Sequence, residues 1–151
     1  MAAVGGLGGY ALVLSRPVTV TDQSGDLSVQ VPRSWDEKSI RAADGSKALL
    51  VSPDAAGWQA NNGAYGVFMG ILPMSTLPTV QTVSAPQGCK PANAVQGEVD
   101  TRQSVTIAYD CTSGANVVER YSKLSNTEML RVQVRALDSE RNEVLDSAKY
   151  K

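Results

Sequence analysis

The chain has no histidine and only two cysteines, Cys89 and Cys111, in 151 residues. Without histidine there is no Ser-His-Asp or Cys-His constellation and no His-containing zinc site. Nor is there an imidazole poised near neutral pH for acid–base work. Aromatic residues are scarce: one Phe, two Trp and five Tyr. The core must therefore be built mainly from Val, Leu, Ile, Met and Ala. No apolar run reaches the roughly 20 residues needed to span a bilayer. The 14 basic and 15 acidic residues are interspersed, for a formal net charge of −1. Nucleic acid and anionic lipid surfaces need clustered Lys and Arg, so both are disfavoured as partners. These absences nominate no catalytic residue, cofactor or metal. They favour a domain that binds or supports over one that catalyses.

What is present fits one globular domain. Apolar residues make up 42% and charged residues 19%, which is too apolar for general disorder. Thirteen Gly and seven Pro supply many turns, as a strand-rich fold with short connections requires. The two cysteines stand 22 positions apart, each beside turn-forming residues. Two buried free thiols are one reading. A single bridge is favoured, because it would close a Pro-rich segment and stabilise by roughly 3 kcal/mol through loop entropy. A bridge also requires an oxidising compartment, hence export.

Residues 1–16 form a Gly-rich apolar stub before a domain over 17–151. The stub reads either as the outer end of a membrane helix or as a Gly-rich tail; it lacks the basic region and cleavage site of a signal peptide. After Pro17, two alternating runs, Val18–Asp22 and Leu27–Val31, predict a hairpin turned by Gln23-Ser24-Gly25. Trp35 follows as a core plug. Ala48–Val51 predicts a buried strand. Ser52-Pro53-Asp54 predicts a helix start that continues through Trp58 to Asn61-Asn62-Gly63. Tyr65–Leu72 predicts another strand, with Gly66 and Gly70 as weak points. A short helix over 75–83 is weakly signalled. Val105, Ile107, Tyr109 and Cys111 share one strand face, and Asn116–Ser122 returns. In Met129–Leu137, Leu130, Val132, Val134 and Ala136 alternate with Arg131, Gln133 and Arg135. That pattern predicts one buried and one wet face, as in an antiparallel meander. A last helix, capped by Asp138 or Ser139, carries Val144, Leu145 and Ala148 as its buried stripe.

Three sets of residues are candidates for function. Trp58, Tyr65 and Phe68 could line an apolar pocket between helix and sheet, although core aromatics joining the two are the plainer reading. Arg131 and Arg135 are the candidate partner surface, against the plainer reading of a solvated strand face. Glu98, Asp100 and Asp110 are acidic but match no oxygen-ligand loop, so a solvated loop is favoured.

Several pieces in fixed order carry a resemblance. They are Ser24–Pro32 followed by Trp35, Leu50–Asp54, Gly66–Gly70, the Cys89/Cys111 pair, Val132-Gln133-Val134 and the Leu145-Asp146 helix. Together the chain resembles an extracytoplasmic domain of actinobacteria, found downstream of a single membrane helix in serine/threonine kinases, beside trypsin-like serine proteases and in lipoproteins. The resemblance covers roughly residues 21–150. It implies the α+β Mog1/PsbP-like architecture, an antiparallel sheet flanked by helices as an α/β/α sandwich. It also implies a Cys89–Cys111 disulfide, no catalytic residues, and a membrane link only through an upstream helix. Lys90–Asp110 departs from the family in being poorer in Gly and aromatics, so any recognition by that segment does not carry over. The expected role is a non-enzymatic sensor-type module for a small ligand or a protein partner. The alternative is an accessory or structural domain attached to a protease or lipoprotein.

Overall fold

Strict alternation in Met129–Arg135 places this strand at the centre of a seven-stranded antiparallel sheet. The computed structural model describes residues 17–38, 40, 41, 47–59, 63–112, 114 and 116–151; the stub at 1–16 lies outside them. The elements are β1 (Val18–Thr21), β2 (Leu27–Val31), a 3-10 turn (Arg33–Lys38), β3 (Ile40–Arg41), β4 (Ala48–Val51), α1 (Ala55–Gln59) and β5 (Gly66–Leu72). They continue with β6 (Cys89–Val99), β7 (Arg102–Cys111), β8 (Val117–Lys123), β9 (Met129–Arg135), α2 (Asp138–Ser147) and β10 (Lys149–Tyr150). The large sheet runs β3-β4-β5-β9-β8-β7-β6, and a small sheet runs β1-β2-β10. Among the described residues, no helix is long and apolar enough to cross a membrane.

One face of the large sheet carries the main core. Leu49, Val51, Val67, Met69, Val118, Leu130, Val132 and Val134 meet Leu27, Val29 and Val31 of β2, Trp35, and Val144 and Leu145 of α2. Burial of these aliphatic side chains, at about 25 cal/mol per Å², drives the layers together. The hairpin β1–β2 pairs as its alternation predicts, Val18 opposite Val31 and Val20 opposite Val29. Asp22 closes its turn, accepting the Leu27 amide at 3.1 Å and the Ser24 hydroxyl at 2.7 Å. A positive φ of 82° at Gly25 completes that turn. Arg120 joins α2 to the sheet: its Nε donates to Thr106 at 3.0 Å and its Nη1 meets Asp146 at 3.2 Å. The N-cap position of helix α2 is Leu137, so Asp138 and Ser139 are its first helical residues rather than its cap, and Ala148 lies just beyond its end.

The opposite face is covered by α1 and the segment 73–88. Val105, Ile107, Tyr109, Val117, Tyr121 and Met129 pack there with Leu72, Met74, Leu77, Val83 and Ala85. No helix forms over 75–83; a single turn, with the Val83 amide donating to the Thr79 carbonyl at 2.9 Å, replaces it. Helix α1 starts later than Ser52-Pro53 predicts, because Asp54 is the residue that caps it, accepting the Gly57 amide at 3.0 Å. The Ser52 hydroxyl instead donates to the Tyr65 carbonyl and accepts the Asp54 amide at 3.1 Å, tying both ends of the α1 connection together.

Cys89 and Cys111 sit directly opposite each other in β6 and β7 and are disulfide-bonded. The first half of the stretch between them is a strand, β6, rather than a Pro-rich loop. It pairs with β7 through to Val99 opposite Arg102, with a register shift between Pro91 and Asn93. Asp100 and Thr101 turn the hairpin with positive φ of 51° and 65°. The architecture, an antiparallel sheet with α2 on one face and α1 on the other, is the arrangement the resemblance implies.

Candidate functional site

On the face covered by α1, polar and charged side chains occupy the middle of the sheet. Glu119 of β8 is fully buried. Cross-strand register explains its partners. Gln133 of β9 lies directly opposite it, and Tyr121 lies opposite Arg131 two pairs along, on the same face. Glu119 Oε1 accepts the Tyr109 hydroxyl, and the Tyr121 hydroxyl at 3.2 Å. Its Oε2 accepts Arg131 Nε at 2.9 Å, Arg131 Nη2, and Gln133 Nε2 at 2.8 Å. Five donors thus satisfy one buried carboxylate, as burial of charge demands.

The network shows in the titration of its members. Burial, then the adjacent Glu119 carboxylate, pushes Tyr121 up to about 12. The same two causes, burial first and then the hydrogen bond to Glu119, raise Tyr109 further. Burial works against the Arg131 charge, but the field of Glu119 and its hydrogen bonds outweigh it and hold the guanidinium above its usual value. Glu119 and Arg131 therefore form a mutually compensated pair whose carboxylate is buried and whose guanidinium is partly exposed.

Arg135 is different. It is only 6% exposed, yet its Nε finds no hydrogen-bond partner among the described residues. Its guanidinium lies over the Trp58 ring, 4.4 Å from the centroid. Burial and repulsion from Arg131 lower its pKa, with Glu119 opposing weakly. The stacking compensates part of the buried charge, but it uses the face of the guanidinium and does nothing for the in-plane Nε–H.

Two glycines stand opposite these arginines. Across β5, Gly66 pairs with Arg135 and Gly70 with Arg131, while Phe68 pairs with Gln133 between them. The Phe68 ring leans over Gly70, and its centre lies 5.7 Å from the Arg131 guanidinium. Gly66 is required by its neighbours: a Cβ there would lie 2.8 Å from both Ser52 Cβ and the Val51 carbonyl. Over this part of the sheet lies an open cavity of about 610 Å³. It is lined by Leu50, Trp58, Phe68, Ala85, Pro86, Arg131, Gln133 and Arg135, among others. That volume lies within the ~300–1,000 Å³ of small-molecule sites.

The structure brings Trp58 and Phe68 to this cavity, but not Tyr65, which is 38% exposed and lines no part of it. Trp58 also packs with Leu50 and Ala55, so it serves core and cavity together. Arg131 and Arg135 belong to the same cavity. The expectation of a wet strand face is corrected here: α1 and residues 84–87 cover that face, and Arg135 and Gln133 are buried. Glu119, Tyr109 and Tyr121 were not singled out in the sequence. A lone Glu flanked by Val117, Val118 and Tyr121 was the available signal. The acidic trio does not assemble: Asp110 lies near the disulfide end of the β6–β7 hairpin, whereas Asp100 is at its tip with Lys149 at 3.7 Å.

No family model and no curated protein matches the chain. Among solved structures, it is similar to the solution structure of cyanobacterial PsbP (CyanoP) from Synechocystis sp. PCC 6803. The TM-score is 0.52 at 11% identity, covering 98% of this chain and 99% of that one. The likeness is one of fold.

Proposed function

We propose that this domain is a non-enzymatic ligand-binding module of the bacterial cell envelope, membrane-anchored through an upstream helix. The observation that carries the reading is the cavity floored by Arg131, Gln133 and Arg135 and walled by Trp58 and Phe68. An open apolar cavity with a few convergent polar groups is the usual form of a small-molecule site. The same groups make a poor active site. Glu119 is enclosed by five donors, and the tyrosines beside it are pushed toward their neutral forms.

Export is supported by the disulfide, which requires an oxidising compartment. The resemblance to actinobacterial sensor domains supports attachment to a serine/threonine kinase. There, ligand binding would bias the domain's orientation or association across the membrane. A second reading is an accessory domain beside a serine protease or lipoprotein, favoured by the PsbP-like fold. A fragment screen read by NMR at the Trp58 indole and the Phe68 ring separates the two. Binding at these resonances is expected. A diverse library that leaves both unmoved would sink the ligand reading in favour of the accessory one.

A further inference from the structure

Resting on the reading of this cavity as a ligand site, we infer that its ligand is a monoanion: a carboxylate on an apolar body, with the carboxylate held by Arg135 and the body against Leu50, Phe68 and Pro86.

The first argument is an unmet hydrogen-bonding demand. A guanidinium presents five donors in a plane, and each buried donor without an acceptor is costly. Arg135 is more than nine-tenths buried, and its Nε is unpartnered among the described residues. Trp58 holds the guanidinium by stacking on its face, and Arg135 lines the cavity. The fork of a guanidinium fits a carboxylate in bidentate fashion.

The second argument is charge. The charged side chains here are one fully buried carboxylate, Glu119, and two guanidiniums, the buried Arg135 and the partly exposed Arg131. Both Glu119 oxygens are committed to the tyrosines, Arg131 and Gln133, and neither accepts from Arg135. One positive charge is left over. A monoanion neutralises it, whereas a phosphate dianion would replace a surplus cation by a surplus anion. The third argument is shape. Leu50, Phe68, Ala85 and Pro86 give the cavity an apolar wall alongside Arg135. That wall rewards an apolar body on the ligand.

The test is titration of the full chain with benzoate and with its neutral isostere benzamide, followed by NMR at the Trp58 indole and the Arg135 guanidinium. Benzoate is expected to bind about tenfold or more tightly than benzamide, as a charge-assisted pair requires. In Arg135→Gln that preference should collapse to about twofold or less, and the wild-type comparison holds even if this variant folds poorly. Equal binding of both probes would overturn the inference and leave the ligand-site reading intact. A benzoate preference that survives in folded Arg135→Gln would overturn it too. If neither probe perturbs Trp58 at about 10 mM, a concentration that detects even weak fragments, the ligand-site reading falls with it.

Discussion

Glu119 and Arg131 meet across β8 and β9 as a partly buried ion pair, with the Nε and Nη2 of one guanidinium both donating to a single oxygen of the fully buried carboxylate. The pair leaves the other oxygen for two tyrosines. Removing one partner leaves a buried charge without compensation. Glu119→Ala is expected to destabilise by about 3–5 kcal/mol. Replacing both partners by apolar residues, as in Glu119→Leu/Arg131→Met, should recover most of that loss. Urea unfolding of the three proteins checks this, and a double variant no more stable than Glu119→Ala would refute it.

Gly66→Ala tests the close approach of β5 to the end of β4. The new Cβ would meet Ser52 and the Val51 carbonyl at 2.8 Å, and backbone there cannot swing aside as a long side chain could. A loss of about 1–3 kcal/mol is expected, read as a lower denaturation midpoint. Gly25→Ala, at a turn with open space but positive φ, should cost less, about 1 kcal/mol.

Reduction of the disulfide should destabilise the domain by about 3 kcal/mol, from the loop it closes. Cys89→Ser/Cys111→Ser should match the reduced protein in chemical denaturation. A double variant as stable as the oxidised protein would show that hairpin pairing alone fixes β6.

Acid unfolding should depend on Asp22. Burial opposes its charge, but the Ser24 hydroxyl and the Leu27, Ser24 and Gly25 amides outweigh burial and hold the carboxyl below its ordinary 3.8. A depressed folded-state value means the stabilisation is complete above 3.8 and is lost as pH falls through the folded value. Asp22→Asn should therefore lower stability at neutral pH and flatten the acid limb below 3.8. Parallel acid limbs for the two proteins would count against the assignment.

The strands that bury an alternating stripe were legible in the sequence. Val105–Cys111, Met129–Arg135 and the Val18–Val31 hairpin all pair as their patterns require, because one face of each packs on aliphatic neighbours. Strand β6 was not legible. At the end of the sheet it has one neighbour, most of its side chains face solvent, and Ala92–Gly97 carries no apolar stripe. The polar stripe of β9 misled for another reason. Local sequence reports polarity, not cover, and the cover comes from α1 and residues 84–87, far away in the chain. The partners of Glu119 were invisible likewise, since Tyr109 and Gln133 reach it only through register.

The β6–β7 hairpin is secured at both ends. At its base stands the Cys89–Cys111 bond. At its tip, Asp100 meets Lys149, and the Arg102 guanidinium lies 5.4 Å from the centre of the Tyr150 ring. A protease cutting anywhere between the two cysteines would open the backbone without releasing a fragment. The nicked domain would run as one species until reductant was added, and its β10 contacts would still hold the severed tip in place. The outermost and least covered strand is thus the one whose cleavage the molecule is best built to survive.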